Sequence, residues 1–134
     1  MIYVASKAKH GHMWRWLRSI DDWPINSTWI DESGEGQTDD WADLWSRCVT
    51  EAVQADAVLC FVLPGETLKG ALIEIGAALG AGKPVHVVDP HGALMEHSWL
   101  NHELATRHLR LVDAADSLGL PLPTAPAPGE EEPA

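Results

Sequence analysis

The chain predicts an α/β fold, a five-stranded parallel sheet in the order 2-1-3-4-5 with helices on both faces. Three observations predict it. Short apolar runs at 2–5, 25–30, 57–63, 84–88 and 108–112 alternate with segments of helical spacing, as strands joined by crossover helices do. The third run, "AVLCFVL", is apolar throughout, as a central strand covered on both faces must be. The 134 residues, 46% hydrophobic and 22% charged, suit one soluble domain with a sizeable core.

"IYVAS" (2–6) is the first strand by its apolar, β-branched content, followed by the polar loop "KAKHGHM". "WRWLRSI" (14–20) has Trp14, Leu17 and Arg18 at helix spacing, and Pro24 closes that region. "INSTWI" (25–30) reads as strand two and "DESGEGQTDD" (31–40) as an acidic, turn-rich loop. Thr38 or Asp39 is placed to cap the next helix, which carries Trp41, Leu44, Trp45, Cys48, Val49 and Val53 on one face.

Pro64 and Gly65 end the third strand. A helix through Glu74 follows and stops near Gly80 and Gly82, and "KPVHVVD" (83–89) is strand four. A long connection, "PHGALMEHSWLNHE", leads to strand five at 108–112 and a short helix capped by Asp113. The domain spans 1–120. Residues 121–134, rich in proline and then acidic, read as a disordered tail.

The formal charge of −11 excludes a polymeric nucleic acid as partner. The charge is uneven: residues 1–20 hold Lys7, Lys9, Arg15 and Arg18 and no acid, whereas 21–56 hold ten acids against Arg47 alone. A small anion at the N-terminal end remains compatible with that distribution. No apolar run reaches the roughly 18 residues of a membrane span, and no signal-peptide pattern opens the chain. The expectation is a cytoplasmic protein without a membrane partner. Two cysteines, Cys48 and Cys60, are too few for a disulfide scaffold.

Ligands of parallel sheets bind at the carboxyl ends of the strands, where the strand order switches. The loops 6–12, 31–37 and 64–69 open there, and Glu74 lies just beyond the last of them. In "GALIEIGAALGAGKPVHVV" (70–88) it is the one acid of an apolar stretch, with no cation before Lys83. A carboxylate buried there without a partner is costly. On spacing alone Glu74 is either a solvated acid favoured by the helix dipole or a functional group at the crevice. The dipole reading expects it ionised.

"ADAVLCFVLPGETLKGALIEIGAALGAGKPVHVV" (55–88) resembles the nucleoside 2-deoxyribosyltransferases and their nucleotide N-glycosidase relatives. The matching elements are Ala55-Asp56, Gly70, Glu74, Gly76 and Gly82-Lys83-Pro84-Val85, and "IYVAS" is similar to the family's first strand, whose Tyr matches Tyr3. The resemblance implies a flavodoxin-like (Rossmann-like) sheet, a homodimer or higher homo-oligomer, no cofactor, and a small-molecule nucleoside or nucleotide as ligand. It makes Glu74 the nucleophile at C1′ of a deoxyribosyl group, with Gly70 starting the turn and Gly76 allowing close backbone approach. Chemically, a carboxylate can trap or stabilise the oxocarbenium-like state of N-glycosidic cleavage.

By its residues alone the loop "SKAKHGH" (6–12) reads as a solvated, positively charged loop. The resemblance makes Ser6, Lys7 and Lys9 ligand-binding, with Lys7 and Lys9 charged to hold a 5′-phosphate, and implies that Asn101, in "SWLNHE", reaches a neighbouring subunit's site. Cys48 stands where the family usually has a carboxylate, and Leu68 where it tends to carry Asp or Ser. Two other readings accompany this one. Toll/interleukin-receptor domains that cleave NAD share the sheet and a Glu after strand three, although Glu74 lacks their typical Trp-Cys neighbours. A nucleotide-binding sensor could keep the pocket without the chemistry.

The seven histidines show no metal-ligand spacing, so no metal is expected. "GAALGAGKP" lacks the Ser or Thr after its Lys that a phosphate-binding P-loop needs. The seven tryptophans read chiefly as core, with Trp29 and Trp41 placed to stack on a base.

Overall fold

A computed structural model of the chain describes residues 1–32 and 39–130. Its centre is a parallel sheet of four strands, β1 (Ile2–Ala5), β2 (Ala57–Phe61), β3 (Val85–Val88) and β4 (Ala105–His108), in the order β1-β2-β3-β4. Ile2 pairs with Ala57, Val58 with Val85, and Val85 with Ala105. Among the described residues four α-helices cover it: α1 (Gly11–Ser19), α2 (Trp41–Gln54), α3 (Gly70–Gly80) and α4 (Leu111–Leu118). The fold is Rossmann-like α/β.

Strand alternation sorts the side chains onto two faces. Ile2, Val4, Leu59, Phe61 and Val88 pack with Met13, Trp14 and Leu17 of α1 and Leu111, Ala114 and Ala115 of α4. Tyr3, Ala5, Val58, Cys60, Val85 and Val87 pack with Cys48 and Ala52 of α2 and Ala71, Ile75 and Ala78 of α3. Tyr3 therefore points toward α2 and α3.

The sheet has four strands where five were expected, and its order β1-β2-β3-β4 is the expected 2-1-3-4-5 without the first member. The missing strand is 25–30. Ile25 makes one isolated parallel bridge to Ile2, and the chain then turns into a 3₁₀ helix at Thr28–Asp31. Two side chains take over its hydrogen bonding. The Val4 amide donates to Ser27 Oγ at 2.7 Å, and Trp29 Nε1 donates to the Val4 carbonyl at 2.8 Å. With the edge of β1 satisfied in this way, a further ladder has nothing to bond there.

Other boundaries shift for local reasons. The expected strand 108–112 is β4 at 105–108, and α4 starts at Leu111, which is buried. The cap of α4 is not Asp113: the Leu111 amide donates to Glu130 Oε1 at 2.8 Å. Asp40, not Asp39, caps α2 by accepting from the Asp43 amide, and Thr38 lies outside the described residues. α3 ends as expected, with Gly82 left-handed (φ +76°) and the Lys83 amide bonded to the Ala78 carbonyl.

Residues 121–130, expected to be a disordered tail, lie along the body of the domain; 131–134 are outside the described residues. Trp23 Nε1 donates to the Pro121 carbonyl at 2.7 Å, and buried Asp21 accepts from the Thr124 amide and hydroxyl at 3.1 and 2.8 Å. Ala127 is 1% exposed and belongs to the core. The prolines allow this docking because an extended segment loses little chain entropy when it is already stiff.

Candidate functional site

β1 and β2 both deliver their following loops to one end of the sheet, and a cleft of about 240 Å³ opens between them. Ser6, Lys7 and Ala8 line one side; Thr67, Leu68, Lys69 and Gly70 line another. α2 contributes Trp41, Leu44, Trp45 and Cys48, the 3₁₀ helix between α1 and α2 contributes Trp29, and α3 contributes Ala71 and Glu74. The cleft thus lies at the carboxyl ends of the strands, as parallel sheets dictate.

Glu74 is 7% exposed, and the Tyr3 hydroxyl donates to its Oε1 at 2.7 Å. Burial pushes its carboxyl up to about 7; the Tyr3 hydrogen bond opposes this shift and the nearby charge of Glu51 adds to it. The expectation that the helix dipole keeps Glu74 ionised is therefore corrected. Glu74 is the fifth residue of α3, past the first turn, where the dipole has faded and desolvation wins. Burial and the charge of Glu74 raise the Tyr3 phenol far above its ordinary range, so it stays a donor.

Cys48 borders the same pair, and burial pushes its thiol up to about 11. Glu74 is the one acid among the described residues of the lining.

The remaining expected residues divide. Ser6 lines the cleft, its Oγ accepting from Trp14 Nε1 at 2.8 Å and donating to the Lys7 carbonyl at 3.0 Å. Lys7 lines it too. Lys9 instead pairs with Glu66 at 3.2 Å. Asn101 is exposed on a 3₁₀ helix at Ser98–Asn101, donating to the Ser98 carbonyl, and does not line this chain's cleft.

Gly70 is close-packed: a Cβ there would lie 2.8 Å from Trp45 Cη2. Gly76 has no such role, since a Cβ there would meet nothing within 4 Å. Trp45 and Lys69 were not legible as site residues. Their signal was the i, i+4 spacing of Trp41 and Trp45 beside a turn-rich loop, and the position of Lys69 just before Gly70.

Fold and site together define a Rossmann-like α/β protein with an aromatic-walled cleft and a buried Tyr–Glu pair inside it. No family model, curated protein or solved structure matches the chain. Among the described residues no group of three His, Cys, Asp or Glu comes together to hold a metal ion, and no helix is long and apolar enough to cross a membrane.

Proposed function

We propose that the chain cleaves or exchanges the N-glycosidic bond of a deoxynucleoside or deoxynucleotide, with Glu74 as nucleophile. The observation that carries this reading is the Tyr3–Glu74 pair, a buried carboxyl aimed by a 2.7 Å hydrogen bond at the back of a cleft. Ionised Glu74 attacks C1′, the C1′–N bond breaks, and the base leaves with the electron pair and takes a proton from water. A water or a second base then attacks C1′ and releases Glu74. The indoles of Trp29, Trp41 and Trp45 offer stacking faces for a base, and Lys7 offers a cation to a 5′-phosphate.

The decisive experiment is chromatography of free base from wild type and Glu74→Gln, over a panel of deoxynucleosides, their monophosphates and NAD. Release by wild type and its loss in the variant, with folding intact, support the nucleophile. Equal release by both removes Glu74 from that role, and release from NAD alone favours the NAD-cleaving alternative.

A binding protein without chemistry is the second reading, favoured by one specific observation. Cys48 and Leu68 line the cleft at the positions where the resemblance to the deoxyribosyltransferases would put a carboxylate and an Asp or Ser. Ligand binding by calorimetry without base release selects it. The same resemblance sends Asn101 to the site of a second copy. Sedimentation showing a single chain removes that role.

A further inference from the structure

Glu66 lies just outside the cleft, and its two carboxylate oxygens are divided between two loops. Oε1 accepts from the Leu63 amide at 2.8 Å, where the chain leaves β2. Oε2 faces the loop after β1, at 2.7 Å from His10 Nε2 and 3.2 Å from Lys9 Nζ. His10 and Glu66 are both 5% exposed at the side chain, and the His10 ring stands edge-on to Phe61 of β2 at 5.1 Å. A charge-assisted hydrogen bond in so shielded a place is strong and geometrically exacting. Burial raises the Glu66 carboxyl, but the hydrogen bonds from the Leu63 amide, His10 and Lys9 outweigh it and hold the group below the usual carboxylate range.

The location gives the cluster its consequence. Ala8, two residues before His10, and Thr67, one residue after Glu66, both line the cleft. We propose that Glu66 is a positioning residue: by clamping His10 and Lys9 to the β2 end, it holds the two loops at the spacing that sets the cleft's width in front of Glu74. Neither Glu66 nor His10 lines the cleft, so the role is exerted through the loops. The inference concerns the cleft of the proposed function, but its test requires no turnover.

Cys48 and Cys60 make that test possible. Cys48 is on the cleft wall at 6% exposure, whereas Cys60 is at 0% in the centre of the sheet. Alkylation by N-ethylmaleimide, located by mass spectrometry, therefore reads cleft opening at Cys48 and general loosening at Cys60. In folded Glu66→Gln, which keeps the size and the Leu63 contact but loses the charge, Cys48 labels about tenfold faster while Cys60 stays protected. Lys9→Met removes only the outer, 66% exposed cation, and its Cys48 rate rises about twofold. Cys48 rates equal to wild type in folded Glu66→Gln, or Cys60 labelling in step with Cys48, overturn the clamp. If Glu66→Gln does not fold, Lys9→Met decides, and an unchanged Cys48 rate there overturns it.

Discussion

The Tyr3 hydroxyl meets Oε1 of Glu74 at 2.7 Å, joining the first strand of the sheet to the second turn of α3 across 71 positions of sequence. Both groups are buried, and the carboxyl is pushed up to about 7 from an ordinary 4.5. Between those two values the folded chain keeps a proton that the unfolded chain has lost, so the contribution of Glu74 to stability falls as pH rises. The full difference is about 3 kcal/mol. Glu74→Gln keeps the acceptor for Tyr3 and removes the ionisation. Denaturant melts are expected to show the variant matching wild type near pH 4 and exceeding it by up to this amount above pH 8.

The same titration governs the proposed reaction with the opposite sign. A nucleophilic carboxylate must be ionised, so base release at substrate well below saturation, where the free protein's ionisation is read, rises with pH and levels off above an apparent value near 7. A rate that is flat from pH 5 to 8 contradicts the assignment of Glu74 as nucleophile.

The outline of the sheet is legible because a central parallel strand leaves a continuous apolar run, as at 57–61, because valines dominate 85–88 around His86, and because Gly82 marks the end of α3. The segment 25–30 misleads because its β-branched residues fit a strand equally well. What decides is that Ser27 and Trp29 bond to Val4, a contact between residues more than twenty positions apart. Glu74 and Tyr3 stand out in the sequence, but their pairing depends on β1 lying beside β2. The Glu66–His10 contact has no local signature at all.

His86 and His108, on neighbouring strands, form a second titrating pair. His86 Nδ1 and His108 Nε2 are 2.8 Å apart, with ring planes within 7° and centroids at 5.1 Å, so the rings meet edge to edge through a hydrogen bond. Burial lowers both from the ordinary 6.5; the charge of His108 lowers His86 further, and Asp113 partly offsets the shift of His108. Below that value the unfolded chain binds more protons than the folded one, so stability falls as pH drops. In His86→Gln the melting temperature should decline less between pH 6.5 and 5 than in wild type.

Removing residues 121–134 uncovers the buried Asp21 carboxylate, the Trp23 indole and the first amide of α4. The melting temperature is expected to fall by more than about 5 °C. A truncated chain that melts with wild type would show that the docked segment adds nothing.

Gly70→Ala places a methyl group 2.8 Å from Trp45 Cη2 and forces the indole, 38% exposed, to turn within the cleft. Affinity for an aromatic ligand stacked on it should drop about three- to tenfold, with little change in melting temperature. Calorimetry with the monophosphate panel measures this.

The outer side of β1 has a consequence for behaviour in concentrated solution. A bare terminal strand is a template on which a foreign chain can add, the first step toward fibrils. Here the Ile25 bridge, Ser27 Oγ and the Trp29 indole already occupy the groups that would do the templating. What the sheet gives up in a fifth strand it recovers as a sealed flank, held by a hydroxyl and an indole that no incoming backbone can extend.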